Sequence, residues 1–160
     1  MQIADLITPD RVACHVKASS KKRAFELLAD MLAGCQPGLT QQDIVDSLMS
    51  RERLGSTGLG HGVAIPHGRI KKLHTALAAV VQLERGIDFD AIDNEPVDLL
   101  FALVVPEEST EEHLQLLAQL AEMLSDEQLR GRLHSAQTRD ELCTAVACRQ
   151  SPETSRAALR

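Results

Sequence analysis

Apolar residues recur at helical spacing through the first third of the chain. Ser19 or Ser20 caps a first predicted helix, and Gly34 ends it. A second helix begins at Thr40, where Asp43 three residues later predicts a capping box. The residues predicted to face the core are Ala24, Leu27, Leu28 and Met31 in the first helix and Ile44, Val45, Leu48 and Met49 in the second.

The pattern changes at residues 55–62, where the sequence reads GSTGLGHG and holds four glycines. Because glycine relaxes the backbone and contributes no packing, this stretch predicts a loop without regular structure. The residues 63–65 then form a short apolar strand, which Pro66 ends. His67 follows directly, so we expect its imidazole just beyond the strand end and presented at a surface.

Two longer apolar runs, at 76–83 and 97–105, carry few polar residues and are rich in Val and Leu. This composition is typical of strands covered on both faces, so the two runs are predicted to form the centre of a sheet. Pro106 closes the second run. Strands and helices interleave without repeats, which predicts one α/β domain with a mixed β-sheet flanked by helices on both faces.

Three further helices are predicted after the last strand. The first is expected to bury leucines at 114, 117, 120 and 124. Residues 149–160 are polar and contain a proline, which predicts a frayed tail after a domain of residues 1–148. The pairs that mark the three helix starts are Ser109 with Glu112, Ser125 with Gln128, and Thr138 with Glu141.

Composition and charge narrow the classes of function. The chain carries 23 acidic and 17 basic residues, a net charge of -6, which argues against a nucleic-acid partner. It has three Phe and no Trp or Tyr, so the flat rings that stack on bases or sugars are scarce. No apolar run is long enough to span a bilayer, and the four cysteines form no C-x-x-C pair. We expect a cytoplasmic protein with reduced thiols and no inserted membrane segment.

His67 is the best placed of six histidines for chemistry. A neutral imidazole nitrogen attacks phosphorus, and the phosphoramidate product passes its phosphoryl group on. Arg51, at the end of the second helix, offers a fork of donors, and His113 lies in the first turns of a helix, where an anion is favoured. Each of these two residues alone is more simply explained as a solvated polar side chain. The residues by themselves therefore indicate only a histidine at a loop, suited to phosphate.

A resemblance joins these candidates. The run RERLGSTGLGHGVAIPHG, residues 51–68, resembles the active-site signature of enzyme IIA domains of the fructose and mannitol class, from the bacterial phosphotransferase system. The run FDAIDNEPVDLLFALVVP, residues 89–106, is similar to the nitrogen-regulatory branch of that class. The resemblance implies the fructose/mannitol-type enzyme IIA fold. It also implies that His67 is phosphorylated on the ring nitrogen remote from the main chain, with Arg51 and His113 flanking the phosphoryl group.

The resemblance also implies partners. The expected donor is an HPr-like histidine phosphocarrier that enzyme I charges from phosphoenolpyruvate, and no metal or organic cofactor is expected. In the nitrogen-regulatory branch the two phosphorylation states regulate other proteins, such as potassium-transport or sensor-kinase components. Two alternatives stay open: a sugar-specific enzyme IIA that serves a separate fructose or mannitol permease, and an interaction domain that uses the same surface for binding only.

His61 departs from the resembling proteins, which often carry asparagine or another polar residue at this loop position. It suggests two specific hypotheses: His61 donates to the phosphoryl group, or His61 and His67 bind a metal together. Two histidines without a third ligand make a poor zinc site. We favour a tolerated loop substitution, because loops accept such changes.

Overall fold

A six-stranded mixed sheet organises residues 2–147, the part of the chain that the computed structural model describes. The strands β5 (Leu77–Ile87) and β6 (Val97–Pro106) form an antiparallel pair at its centre, as predicted. On the β5 side lies β1, which is parallel to β5. On the β6 side β3 and β4 both run parallel to β6, and β2 pairs antiparallel with β3. The bounds of these four strands are Val12–Val16 for β1, Gly58–Gly60 for β2, Val63–Ala64 for β3 and His67–Ile70 for β4.

Helices cover both faces of the sheet, which confirms the predicted fold class. Alternate residues of β6 point into two separate cores. Leu100 lies in the core under α1 and α2, whereas Phe101 lies in the core under α3, α4 and α5. Two short 3-10 helices, Ile3–Leu6 and Pro9–Arg11, precede β1. The five helices span Lys21–Ala33 (α1), Gln41–Glu52 (α2), Thr110–Leu124 (α3), Glu127–Ser135 (α4) and Arg139–Val146 (α5).

Local capping chemistry sets three of the helix starts as the sequence predicts. A side-chain oxygen at each of these starts satisfies a backbone N–H that has no partner within its helix. Gly34 also follows the last residue of α1, as predicted. The confirmed caps are Ser20, which accepts from the Arg23 N–H, Thr40 with Asp43, which form the complete capping box, and Thr138, which accepts from the Glu141 N–H.

The predicted start of α3 after Ser109 is confirmed, but the predicted side-chain caps of α3 and α4 are wrong. Ser109 precedes α3 but makes no side-chain capping bond, and α4 is capped by Asp126 rather than by Ser125. The predicted face of α3 is confirmed at Leu120 and Leu124, which are buried, but it is wrong at Leu114, which is 63% exposed. The five leucines of α3 offer two helical faces, and the sheet takes the one whose members are Leu116, Leu120 and Leu124.

The glycine-rich stretch at 55–62 is not a loop without regular structure, as the sequence had suggested. Residues 58–60 form β2, which pairs with β3 as a hairpin. Glycine is needed at the turn, where Gly60 and Gly62 have φ of +89° and +76°. Glycine is also needed where the hairpin touches its neighbour, because a Cβ on Gly58 would lie 2.7 Å from the Ala91 Cβ. These glycines serve a tight hairpin.

The predicted tail at residues 149–160 lies outside the described residues, so its extent and the domain boundary at 148 stay predictions. In the part of the chain that the structure describes, no helix is both long and apolar enough to cross a bilayer.

His134 fastens α4 to the β2–β3 hairpin. Its Nδ1 lies 2.7 Å from Asp98 Oδ1, and its Nε2 lies 2.8 Å from the His61 carbonyl oxygen. Both oxygens only accept, so the two bonds together require the doubly protonated imidazolium. The hydrogen bond to Asp98 raises the pKa of His134 above 6.5. The hairpin is therefore held by a cation that titrates above its ordinary range.

We predict that this bond makes stability depend on pH. The folded pKa of His134 is raised above 6.5, so the stabilisation is complete below pH 6.5 and is lost as the pH rises through the folded pKa. The free energy of unfolding of wild type should exceed that of His134→Gln by about 1 kcal/mol at pH 6, and this difference should shrink toward pH 9. Urea unfolding of both proteins between pH 6 and pH 9 measures the difference. A difference that stays constant with pH contradicts the prediction.

Candidate active site

His67 opens a strand, and this corrects the sequence-based expectation that it lies beyond a strand end. Val63 pairs with Leu99 and His67 pairs with Leu103, so the parallel register does not shift across Pro66. Pro66 lacks an N–H, but its carbonyl accepts from the Leu103 N–H at 3.0 Å, which keeps the ladder together. His67 is consequently only 7% exposed, rather than presented at the surface.

The backbone selects the tautomer of His67. Its Nδ1 lies 2.7 Å from the Ile65 carbonyl oxygen, which can only accept, so Nδ1 carries the proton. Burial lowers the pKa of His67 below its usual 6.5, against the opposing effect of that hydrogen bond. The ring is therefore neutral at physiological pH, and its lone pair is on Nε2.

His113 approaches this ring from the first turns of α3. The centroids of the two imidazoles are 5.2 Å apart, and the rings meet edge to face at 66°. The Nε2 of His113 is buried and has no hydrogen-bond partner among residues 2–147. Burial first, and then the neighbouring His67, Arg69 and Arg51, lower the pKa of His113 to about 4. This second ring is also neutral, and its unpaired nitrogen is available to a ligand.

Arg51 reaches the same cavity from the last turn of α2. Its Nη1 donates to the Gly55 carbonyl at 2.9 Å, which uses one of its five N–H groups. The cavity has a volume of about 630 Å³ and is lined by Arg51, His67 and His113 together. The structure thus brings together the three residues that sequence spacing alone left apart.

A close contact between α2 and β4 sets this geometry. A Cβ on Gly68 would lie 2.1 Å from Ser47 Oγ, and Ser47 also donates to the Arg69 carbonyl at 3.0 Å. Because Ser47 and Arg51 are four residues apart on one helix, they share a face. The absence of a side chain at Gly68 therefore lets α2 lie against β4 and carries Arg51 toward His67.

Arg69 is a cavity residue that the sequence analysis missed. It lines the same cavity, and its Nη1 donates to Thr110 Oγ1 at 3.3 Å, which links β4 to the start of α3. Residues two apart in a strand point to the same side, so Arg69 lies on the side of His67. This signal could have been read from the sequence only if His67 had been placed inside a strand.

His61 lies away from the cavity. It occupies the hairpin turn with φ of +57°, where its N–H donates to Asp93 and its carbonyl accepts from His134. The Gly62 carbonyl accepts from the Leu99 N–H, whereas His67 pairs with Leu103. Four residues of a strand separate these points by about 13 Å. Neither a shared metal nor a bond from His61 to a group on His67 fits that separation, and the described residues contain no cluster of three metal-ligating side chains.

The chain folds as an α/β domain in which a mixed sheet lies between two helical layers and two neighbouring histidines line the candidate site. Residues 5–147 match the family described as phosphoenolpyruvate-dependent sugar phosphotransferase system, EIIA 2. A nitrogen regulatory protein of Pseudomonas aeruginosa is 46% identical over 146 residues, which cover 91% of this chain and 95% of the relative. The chain belongs to the phosphotransferase-system EIIA 2 family, and it is a phosphocarrier-type component of that system.

Solved structures agree with this assignment. The crystal structure of nitrogen regulatory protein IIA-Ntr from Neisseria meningitidis has 37% sequence identity and a TM-score of 0.83, and the match covers 88% of this chain and 96% of that one. The IIA mannitol crystal structure from Escherichia coli, at 23% identity, has a TM-score of 0.71 and covers 86% of this chain and 96% of its own. The second likeness shows the shared fold.

We predict that three imidazoles of this protein titrate in a fixed order. His113 should have a midpoint of about 4, His67 should titrate below 6.5, and His134 should titrate above 6.5. Two-dimensional proton–nitrogen spectra of the imidazoles between pH 3.5 and 9 measure all three, with single His→Gln variants for assignment. A midpoint for His113 at or above that of His134 contradicts the described burial.

Proposed function

We propose that His67 accepts a phosphoryl group on Nε2 from the phosphohistidine of an HPr-like carrier, which enzyme I charges from phosphoenolpyruvate. The observation that supports this most directly is the bond from Nδ1 to the Ile65 carbonyl, because it leaves the lone pair on Nε2 of a neutral ring. A neutral, oriented imidazole is the nucleophile that the reaction needs. The P–N bond of the donor breaks as the new bond forms, and the donor imidazole leaves.

Two side chains of the cavity can donate to the group being transferred. Transfer of a phosphoryl group depends mainly on positioning and on stabilising its equatorial oxygens. We assign this role to Arg51, which has N–H groups left after its bond to Gly55, and to His113, whose Nε2 is buried and unpaired. A bond from His113 to a phosphoryl oxygen would remove the cost of that unpaired group, which is about 1–3 kcal/mol.

The proposed role is regulatory and nitrogen-related. The chain is 46% identical to a nitrogen regulatory protein and 31% identical to a fructose-specific EIIA component of Haloferax volcanii, which favours the former over the sugar-specific alternative. A phosphoryl group adds about two negative charges, enough to change which surfaces the cavity rim can bind. Target proteins such as potassium-transport or sensor-kinase components, in the cytoplasm, would then respond to one of the two states.

Two exposed leucines mark where partners would dock. Leu54 is 84% exposed and Leu114 is 63% exposed, and both line the cavity that contains His67. Exposed apolar side chains around a reactive group are typical of a surface that a partner covers. We propose that the phosphoryl donor packs on this rim.

The first test measures phosphoryl uptake. His67→Gln should form no adduct, because the nucleophile is lost, whereas Arg51→Ala and His113→Ala should accept the group about a hundredfold more slowly. Intact mass spectrometry after quenched incubation with phosphoenolpyruvate, enzyme I and an HPr-like carrier measures the adduct, and acid should remove it. His74→Ala is the control and should behave as wild type. An adduct on His67→Gln would move the site elsewhere, and no adduct on wild type would leave the binding-only domain as the better hypothesis.

The second test concerns docking. Leu114→Ser should raise the KM for the phosphorylated carrier about tenfold, because an apolar contact is lost, and should leave the maximal rate nearly unchanged. Ile92→Ser is the matched control: Ile92 is 85% exposed and is not among the residues that line the His67 cavity. Equal effects of the two substitutions on KM would refute the assignment of the rim.

A further inference from the structure

Glu52 is a buried carboxylate at a position where charge is unfavourable. It is 7% exposed and is the last residue of α2, where the helix dipole disfavours an anion. An apolar residue of similar size would avoid the desolvation cost. The carboxylate instead fixes the position of Thr57, because it accepts from the Thr57 N–H at 3.1 Å and from the Thr57 hydroxyl Oγ1 at 2.6 Å.

Lys21 balances this carboxylate from the first residue of α1. Its Nζ lies 2.9 Å from Glu52 Oε1 and 3.6 Å from Asp90 Oδ2, and it also lies over the Phe89 ring at 4.6 Å from the centroid. The ammonium is therefore held from three sides. Lys21, Glu52 and Thr57 together form what we call the Glu52 clamp, which ties α1 to the end of α2 and to the turn that follows.

Two hydrogen bonds at Gly55 connect the Glu52 clamp to Arg51. The turn between Glu52 and Thr57 is closed at its base by the carboxylate, and within it the Gly55 N–H donates to the Glu52 carbonyl at 3.1 Å. The carbonyl of Gly55 then accepts from Arg51 Nη1 at 2.9 Å. A fixed turn thus fixes the direction of the guanidinium.

Two further hydrogen bonds, at Ile65, connect the Glu52 clamp to His67. The Thr57 carbonyl accepts from the Ile65 N–H at 3.0 Å, and the Ile65 carbonyl is the acceptor for His67 Nδ1 at 2.7 Å. Thr57 therefore holds the residue, Ile65, whose carbonyl oxygen selects the His67 tautomer. The two series of hydrogen bonds both begin at the Glu52 clamp. One ends at Arg51 and the other at His67, the two residues that the phosphoryl group would touch.

We propose that Glu52 is a positioning residue for phosphoryl transfer, which acts through Thr57 on the direction of Arg51 and on the tautomer of His67. The proposal rests on the proposed function for its effect on rate, but its effect on the His67 ring does not depend on any transfer.

The experiment uses isosteric changes in the full chain. Glu52→Gln keeps the shape and removes the charge, and Thr57→Val keeps the shape and removes the hydroxyl, whereas Thr57→Ser restores a hydroxyl. Glu26→Gln is the matched control, because Glu26 is a carboxylate in a surface ion pair with Arg23 at 3.8 Å. Nitrogen-15 imidazole spectra of His67 at pH 8 report the tautomer, and quenched uptake reports the rate.

We expect Glu52→Gln and Thr57→Val to convert the single Nδ1–H form of His67 into a mixture of tautomers and to slow uptake about tenfold. Thr57→Ser should recover both properties, and Glu26→Gln should change neither. In an Arg51→Ala background the Glu52→Gln effect on rate should be smaller, since one of the two series of hydrogen bonds is already broken.

Two outcomes overturn the proposal. The first is a single unchanged His67 tautomer with wild-type uptake in Thr57→Val. The second is a defect in Thr57→Val that Thr57→Ser does not rescue, which would indicate packing rather than the hydroxyl bond. If Glu52→Gln does not fold, Thr57→Val still decides the question. If wild type itself takes up no phosphoryl group, the proposed function fails, while the tautomer spectra still test the clamp.

Discussion

The contact between α2 and β4 at Gly68 is the constraint on which the candidate site depends. Two pieces of backbone approach so closely there that a methyl group at Gly68 would overlap with Ser47. One helical turn later, the same face of α2 carries Arg51 into the cavity. Without this approach the guanidinium would stand off from His67, and neither the turn at Gly55 nor the Glu52 clamp could bring it back.

The electrostatics of the cavity follow from burial. Two imidazoles are kept neutral by desolvation, while Arg51 and Arg69 line the same space together with Asp46 and Glu107, so the lining carries no formal net charge. An anion in this cavity would therefore depend on the direction of the guanidinium N–H groups rather than on a general excess of positive charge. The unpaired Nε2 of His113 also favours a bound ligand, because a buried polar atom without a partner is costly until a ligand satisfies it.

Sequence reasoning succeeded where the determinants are local and failed where they are not. The caps at Ser20 and Thr40 depend on neighbouring residues, and the two central strands are identified by apolar runs with few polar residues. The strand that begins at His67 depends on pairing with Leu103, far along the chain. It was missed because Pro66 was taken as the end of the preceding strand. Leu120 and Leu124 of α3 were predicted to be buried, but the choice between Leu114 and Leu116 could not be made from the sequence, because the leucines permit two faces and only the sheet decides between them.

The resemblance of residues 51–68 to a known signature supplied what spacing could not. It named Arg51, His67 and His113 together, and the structure places all three around one cavity. It did not indicate Arg69 or the clamp at Glu52, since those emerge only from hydrogen bonds between elements that are distant in the chain. The resemblance thus named the candidate residues, and the structure shows the contacts that hold them.

Both helical layers contribute side chains to the cavity. Arg51 comes from a helix of one layer and His113 from a helix of the other, with the sheet between their cores. Each core can drift in composition on its own while its volume is preserved. The position of one layer relative to the other cannot change as freely, because a shift of either layer along the sheet would move Arg51 away from His113. The cavity therefore limits how far the helical layer on one face of the sheet can shift relative to the layer on the other face.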